Sequence, residues 1–200
     1  RGASCDKAEA IAREFAGRTG RVFVSPYNDW DIVFGAGTVG LELADDLSRF
    51  EDVFVPIGGG GLIAGIAGFL KVDRTETRII GVQPENSAFM AASIAAGCLV
   101  DIDEKESIAD AVAGGIESGS ITFPLCRDLL DFIEEVPESL ISRAMALVHE
   151  HHGKMVEGAG ALPIAALLHS PAKWRDRTVV AVVSGGNISP ERFRAIVGPA

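Results

Sequence analysis

The 200 residues are 48% apolar and 23% charged, globular proportions that exclude a disordered chain. Eighteen Lys and Arg against 28 Asp and Glu leave a net charge of −10, which argues against nucleic acid or an anionic membrane surface as a partner. Any phosphate bound by such a chain has to be held mainly by backbone N–H groups and helix ends, and the longest apolar run, near Leu62 to Leu70, is too short to cross a bilayer.

Asp6, with Glu9 three residues on, is a capping-box start for a first helix, and Gly17 marks its expected end. Arg21 to Val24 is expected as a short strand, 25–30 as a turn-rich connection, and Asp31 to Phe34 as a second strand. A helix is expected from about Gly37 to Phe50, with Val39, Leu43, Leu47 and Phe50 on one stripe. The apolar strand Asp52 to Ile57 runs into Gly58-Gly59-Gly60-Gly61, and a helix follows to about Leu70. Next come a strand at Arg78 to Val82 and a helix from Ser87 to Ala96. Residues 97–120 read as a polar, acidic connection containing Ile108-Ala109-Asp110 and Gly114-Gly115. A helix from Pro124 to Leu130, a strand from Phe132 to Val136 and a helix from Pro137 to His151 complete the middle. Glu157-Gly158-Ala159-Gly160 opens a helix to His169, the strand Thr178 to Val183 ends at Ser184-Gly185-Gly186-Asn187, and a last helix follows.

Strands that are continuously apolar and alternate with helices define an α/β protein, a parallel sheet with helices on both faces. Ligands of such sheets sit at the carboxyl ends of the strands. Three glycine-rich breaks are expected there: Gly35-Ala36-Gly37-Thr38, Gly58 to Gly61, and Ser184 to Asn187. Four consecutive glycines after a buried strand favour an anion cradle of backbone amides. For Gly35 to Gly40 taken alone, close helix packing is slightly favoured. That segment also matches GxGxxG, but the next strand ends in Ile57 and the glycine loop, with no acid to hold a ribose. A second near-match, Gly59 to Ala64, is followed by Gln83 and Glu85. A nucleotide-binding Rossmann domain is therefore the minor alternative.

Val53 to Leu62, with its tetraglycine run, resembles the phosphate-binding loop of fold type II pyridoxal-phosphate enzymes, above all the serine/threonine dehydratase and serine racemase group. Asp31 to Leu43, Gly81 to Glu85, Ile108 to Asp110, Glu157 to Gly160 and Val183 to Asn187 match the same group in order. The resemblance implies that residues 1–20 end a small domain and 21–200 form the C-terminal part of a large, pyridoxal 5'-phosphate-binding domain. It implies a phosphate site at Gly58, Gly59, Gly60, Gly61 and the Leu62 amide, with the Ser184 hydroxyl against the pyridine nitrogen. Glu157 would lie near the ring, or serve only as an acid at a helix N-terminus. Gly35 and Gly37 would line the ring's other side, and Asn187 would support the site from behind.

The implied reaction is β-elimination of a hydroxy amino acid to a 2-oxo acid and ammonia, with a serine or aspartate racemase as the alternative. The group's Schiff-base lysine lies in a Ser-x-Lys-x-Arg-Gly type motif, and none of Lys7, Lys71, Lys105, Lys154 and Lys173 stands in one. The lysine is thus expected upstream of Arg1, in a missing N-terminal part of the same enzyme, and the fragment alone is expected to be inactive. Gln83 and Phe89 stand where some relatives place acids around a divalent ion, so no metal is expected there. His149, His151 and His152 read as a solvated helix end. Three scattered cysteines, Cys5, Cys98 and Cys126, and no visible signal peptide point to a cytoplasmic protein. A homo-oligomer, a dimer or higher, is expected.

Overall fold

The computed structural model describes residues 5–198, with side chains from Lys7 onward. Four strands, β1 (Asp52–Pro56), β2 (Arg78–Pro84), β3 (Phe132–Val136) and β4 (Val179–Ala181), form one sheet in the order β3-β2-β1-β4. All three pairings are parallel, as continuously apolar strands require. Side chains alternate between the faces. Phe54, Ile80 and Val82 face α6 (Glu138–His152), α7 (Gly158–His169) and α8 (Pro190–Val197), joining Met145, Leu162, Trp174 and Phe193 in one core. Val53, Val55, Ile57 and Ile79 face the other way, with Ile63, Ile66, Leu70, Met90 and Cys126 of α3 (Gly61–Asp73), α4 (Phe89–Ala96) and α5 (Thr122–Leu129). The central strand β1 is buried along its whole length.

The N-terminal third departs from expectation. The first helix, α1, spans Cys5–Thr19 and passes through Gly17. It ends at Gly20, whose φ of +67° lets the Arg21 N–H bond the Ala16 carbonyl at 3.1 Å. The expected capping box rests on the Asp6 side chain, which lies outside the described residues. Residues 21–24 form no strand: no sheet partner runs beside them, and Val22 is 88% exposed. Asp31 to Phe34 is not a strand either. It is the first turn of α2 (Trp30–Asp46), which starts where the extended Asp29 accepts the Asp31 N–H at 2.8 Å. A four-residue apolar run cannot by itself distinguish strand from helix, and the cap decides.

That shift relocates the first glycine cluster. Gly35, Gly37 and Gly40 lie inside α2, and a Cβ on Gly37 would stand 3.3 Å from the Gly65 carbonyl of α3. At Gly40 it would stand 3.2 Å from the Ile66 carbonyl. Gly37 and Gly40 let two helix backbones approach each other, the packing role favoured for that segment alone, whereas Gly35 borders open space. Among the described residues no strand precedes them, so the GxGxxG match lacks the strand-to-helix turn that a dinucleotide site needs.

At the amino end of β1, the Asp52 carboxylate has no exposed surface and is held by the Arg78 Nε at 2.6 Å and by the Arg177 Nε. Burial raises its pKa, but the two guanidinium groups outweigh this and hold it below the usual carboxylate value. A depressed folded-state pKa contributes stability that is complete above the unfolded value of about 4 and is lost as pH falls through the lower folded value. Asp52→Asn in the full-length protein is expected to destabilise by about 2 kcal/mol at neutral pH. The gap from wild type should narrow below about pH 4, as denaturation midpoints across pH would show.

Candidate active site

The carboxyl end of β1 opens into the glycine loop, and α3 begins at Gly61. Gly60 caps that helix with φ +89°, a left-handed conformation, and has no side chain to bond the helix's first N–H groups. The first intrahelical bond of this end runs from the Ala64 N–H to the Gly60 carbonyl at 3.0 Å. The amides of Gly61, Leu62 and Ile63 therefore point out of the helix start without intrahelical partners, at the positive end of its dipole.

These glycines are enclosed as well as flexible. A Cβ on Gly60 would come within 2.9 Å of the Cys126 Sγ, 3.0 Å of the Met90 Cε and 3.1 Å of the Thr122 Cβ. On Gly61 it would come within 2.9 Å of the Tyr27 Cα, and on Gly58 within 3.0 Å of the Val112 Cα. On Gly59 it would enter the Tyr27 ring. Behind the loop, the buried Thr122 hydroxyl donates to the Gly59 carbonyl at 2.5 Å. Burial pushes the Cys126 thiol up to about 12, so it stays protonated and serves as packing.

A cavity of about 330 Å³ lies in front of the loop. Gly58, Gly59, Gly60, Gly61 and Leu62 line it together with Ser184. The parallel register explains the meeting. Phe54 is opposite Ala181, and the Val182 N–H bonds the Phe54 carbonyl at 3.0 Å, so three residues further on Ile57 and Ser184 leave adjacent strands together. The remaining walls come from Pro26 and Tyr27, from Glu9 of α1, and from 111–115.

Sequence reasoning passed over Tyr27. Its hydroxyl accepts the Glu117 N–H at 2.9 Å, and Asn28 beside it donates to the Glu117 carboxylate and accepts the Ile121 N–H at 2.9 Å. Arg13 holds the same carboxylate at 2.8 Å. The α1–α2 connection is thereby fastened to 117–121. Burial pushes the Tyr27 hydroxyl's pKa up, against the pull of the Glu117 amide, so it remains neutral. A lone Tyr in a turn-rich segment carries no pattern that would have revealed this.

The other expected site residues are placed differently. Glu157 precedes α7, its N–H bonding the Gly185 carbonyl at 3.2 Å, and its carboxylate lies against Gly185 behind the cavity rather than among the lining residues. A Cβ on Gly160 would strike the Gly185 carbonyl, so small residues at the start of α7 bring that helix onto the Ser184–Gly185 turn. Asn187 is exposed and outside the lining. Gly35 and Gly37, expected beside the ring, are not among the residues lining this cavity. Both are in α2, and Gly37 faces an apolar groove between α2, α3 and α5. Among the described residues, no three His, Cys, Asp or Glu side chains gather as metal ligands would. The three histidines end α6, where the helix dipole favours positive charge, and His149 meets the Phe193 ring edge-on at 5.1 Å.

In this parallel α/β sheet the unpartnered amides of a helix start and Ser184 line one cavity, and such amides are the groups that favour an anion. The model of the family described as "Pyridoxal-phosphate dependent enzyme" matches residues 2–185, and the chain belongs to that family. The cofactor of the family is pyridoxal phosphate, whose phosphate suits the amide cradle described above.

Among similar proteins, the catabolic L-threonine dehydratase of Escherichia coli (strain K12) is 40% identical over 191 residues, covering 94% of this chain and 58% of that protein. The L-threonine ammonia-lyase of Thermotoga maritima is 38% identical over 192 residues, covering 96% and 47%. The processed form of threonine deaminase isoform 2 from Solanum lycopersicum superposes with TM-score 0.89 at 32% identity, over 98% of this chain and 57% of that one. Maize serine racemase superposes with TM-score 0.85 at 33% identity, over 94% and 59%. The chain thus spans about half to three-fifths of the length of these relatives. Among the described residues no helix is long and apolar enough to cross a membrane.

The enclosure of Gly60 predicts that Gly60→Ala, with a strained φ and no room for the methyl group, costs about 2 kcal/mol. Thermal unfolding of the full-length protein measures this.

Proposed function

We propose that this chain forms the C-terminal part of the cofactor domain of a serine/threonine dehydratase, an ammonia-lyase that converts a hydroxy amino acid to a 2-oxo acid and ammonia. The observation that carries the reading is the single cavity shared by the tetraglycine loop and Ser184. The dehydratase relatives, at 38–40% identity, support the lyase class over the racemase suggested by the maize neighbour. Residues 1–20 belong in this reading to the end of the small domain and 21–200 to the large one.

Bound in this cavity, pyridoxal phosphate supplies an electron sink for the substrate's α-carbon. The amides of Gly58 to Gly61 and Leu62 hold its phosphate, since an acidic chain with no lysine or arginine among the described residues of the cavity wall offers dipoles instead of cations. Ser184 presents a hydroxyl to the ring nitrogen. A hydroxyl is neutral and does not hold a proton there as a carboxylate would, which leaves a milder sink suited to elimination. Glu157, behind Gly185, and Asn187 steady the turn that carries Ser184.

None of the chain's five lysines lines the cavity. The Schiff-base lysine, and most contacts to the substrate side chain, then come from a part of the enzyme outside these 200 residues. The chain exposes 10681 Å², more than the roughly 9,000 Å² expected of a monomer of this size. Val22, Phe34 and Val24 are among the exposed residues, which supports a life within a larger, oligomeric enzyme.

The full-length protein is expected to gain, with pyridoxal phosphate, a visible absorbance band that borohydride bleaches, and to release a 2-oxo acid and ammonia from L-threonine or L-serine. Absence of the band overturns the cofactor assignment, and D-serine as the main product moves the reading to the racemase. Residues 1–200 expressed alone with the cofactor should show no turnover. Ser184→Ala should keep the band and weaken cofactor affinity about twofold to tenfold, the range for one neutral hydrogen bond.

A further inference from the structure

The cradle's geometry depends on how β1 ends, and one buried side chain sets that ending. Gln83, at the carboxyl end of β2, is 1% exposed, yet both ends of its amide are satisfied. Its Nε2 donates to the Ile57 carbonyl at 3.3 Å, and its Oε1 accepts the Ala91 N–H of α4 at 2.9 Å. The two partners fix the amide's orientation, because a flip would set donor against donor and acceptor against acceptor.

Ile57 is the residue immediately before Gly58. Its N–H bonds the Val82 carbonyl at 2.9 Å, and its side chain lies over Gly81, where a Cβ would collide with it. The Gln83 bond fixes the remaining freedom, the plane of the Ile57–Gly58 peptide. That peptide is trans, so its carbonyl and the Gly58 N–H point in opposite directions. Anchoring the Ile57 oxygen therefore aims the first amide of the glycine loop, and Gly58 lines the cavity. The other end of the Gln83 amide holds α4, whose Met90 methyl group would touch a Cβ on Gly60 at 3.0 Å. One side chain thus ties together the strand end, the loop and the helix behind it.

We propose that Gln83 is a positioning residue for the phosphate cradle: it aims the Gly58 amide at the cofactor's phosphate without touching the cofactor. This rests on the pyridoxal-phosphate reading of the cavity. Gln83→Met removes both hydrogen bonds at nearly constant volume. Gln83→Glu keeps the acceptor for Ala91 and loses the donor to Ile57.

The test uses the full-length apoprotein and compares affinity for pyridoxal phosphate with affinity for pyridoxal, which lacks the phosphate, by absorbance or tryptophan quenching. Circular dichroism checks that each variant is folded. Both variants are expected to bind pyridoxal phosphate about fivefold to tenfold more weakly than wild type, and pyridoxal equally well. Equal losses for both ligands, or no loss for either, overturn the positioning role. If wild type itself does not prefer pyridoxal phosphate, the cofactor reading fails instead. Should Gln83→Met not fold, Gln83→Glu alone decides.

Discussion

The structure turns on the place where a wholly buried strand has to stop. β1 has no exposed residue, so its backbone is satisfied by neighbouring strands until Pro56, and at Gly58 the chain must turn at once into α3. The first amides of any helix lack partners, and here no side chain caps them. Among the described residues no Lys or Arg stands in the cavity wall, so in a chain of net charge −10 such dipoles are what this wall offers an anion. Binding an anion in front of α3 and ending β1 cleanly are one physical problem with one solution.

That solution is expensive in side-chain space. Tyr27, Val112, Cys126, Met90 and Thr122 crowd the loop so closely that a methyl group on any of its four glycines would displace a neighbour. The same device recurs across the sheet, where Gly160 and Gly185 let the start of α7 settle on the turn carrying Ser184. Removing side chains there trades conformational entropy for backbone proximity, and the large buried residues on both sheet faces offset the loss at roughly 2 kcal/mol each. Asp52 holds β1 at its other end, about as far from the chemistry as the strand allows.

Legibility in the sequence followed the range of the interactions. Strands buried on both faces announce themselves as apolar runs, such as Val53 to Ile57 and Ile79 to Val82. The four-glycine break after the first of them marked the cavity wall. By contrast, Asp31 to Phe34 was read as a strand because a short apolar run has no period. The capping carboxylate of Asp29 and the α3 backbone opposite Gly37 settle it as helix. Residues 111–115 carry no pattern beyond Gly114-Gly115, yet they line the cavity, because loops take their position from what they pack against.

The amino-acid order by itself determined the layer type, the elements from Asp52 onward and the glycine loop at the end of β1, since burial, periodicity and backbone freedom are properties of short stretches. Only the tertiary structure decided that Ser184 and the glycine loop line one cavity, that Tyr27 packs against that loop and that Gln83 bonds the carbonyl preceding it. Those relations join residues from about 25 to over 120 positions apart, linked by strand register and by hydrogen bonds between different elements. No local pattern encodes a distance across the sheet.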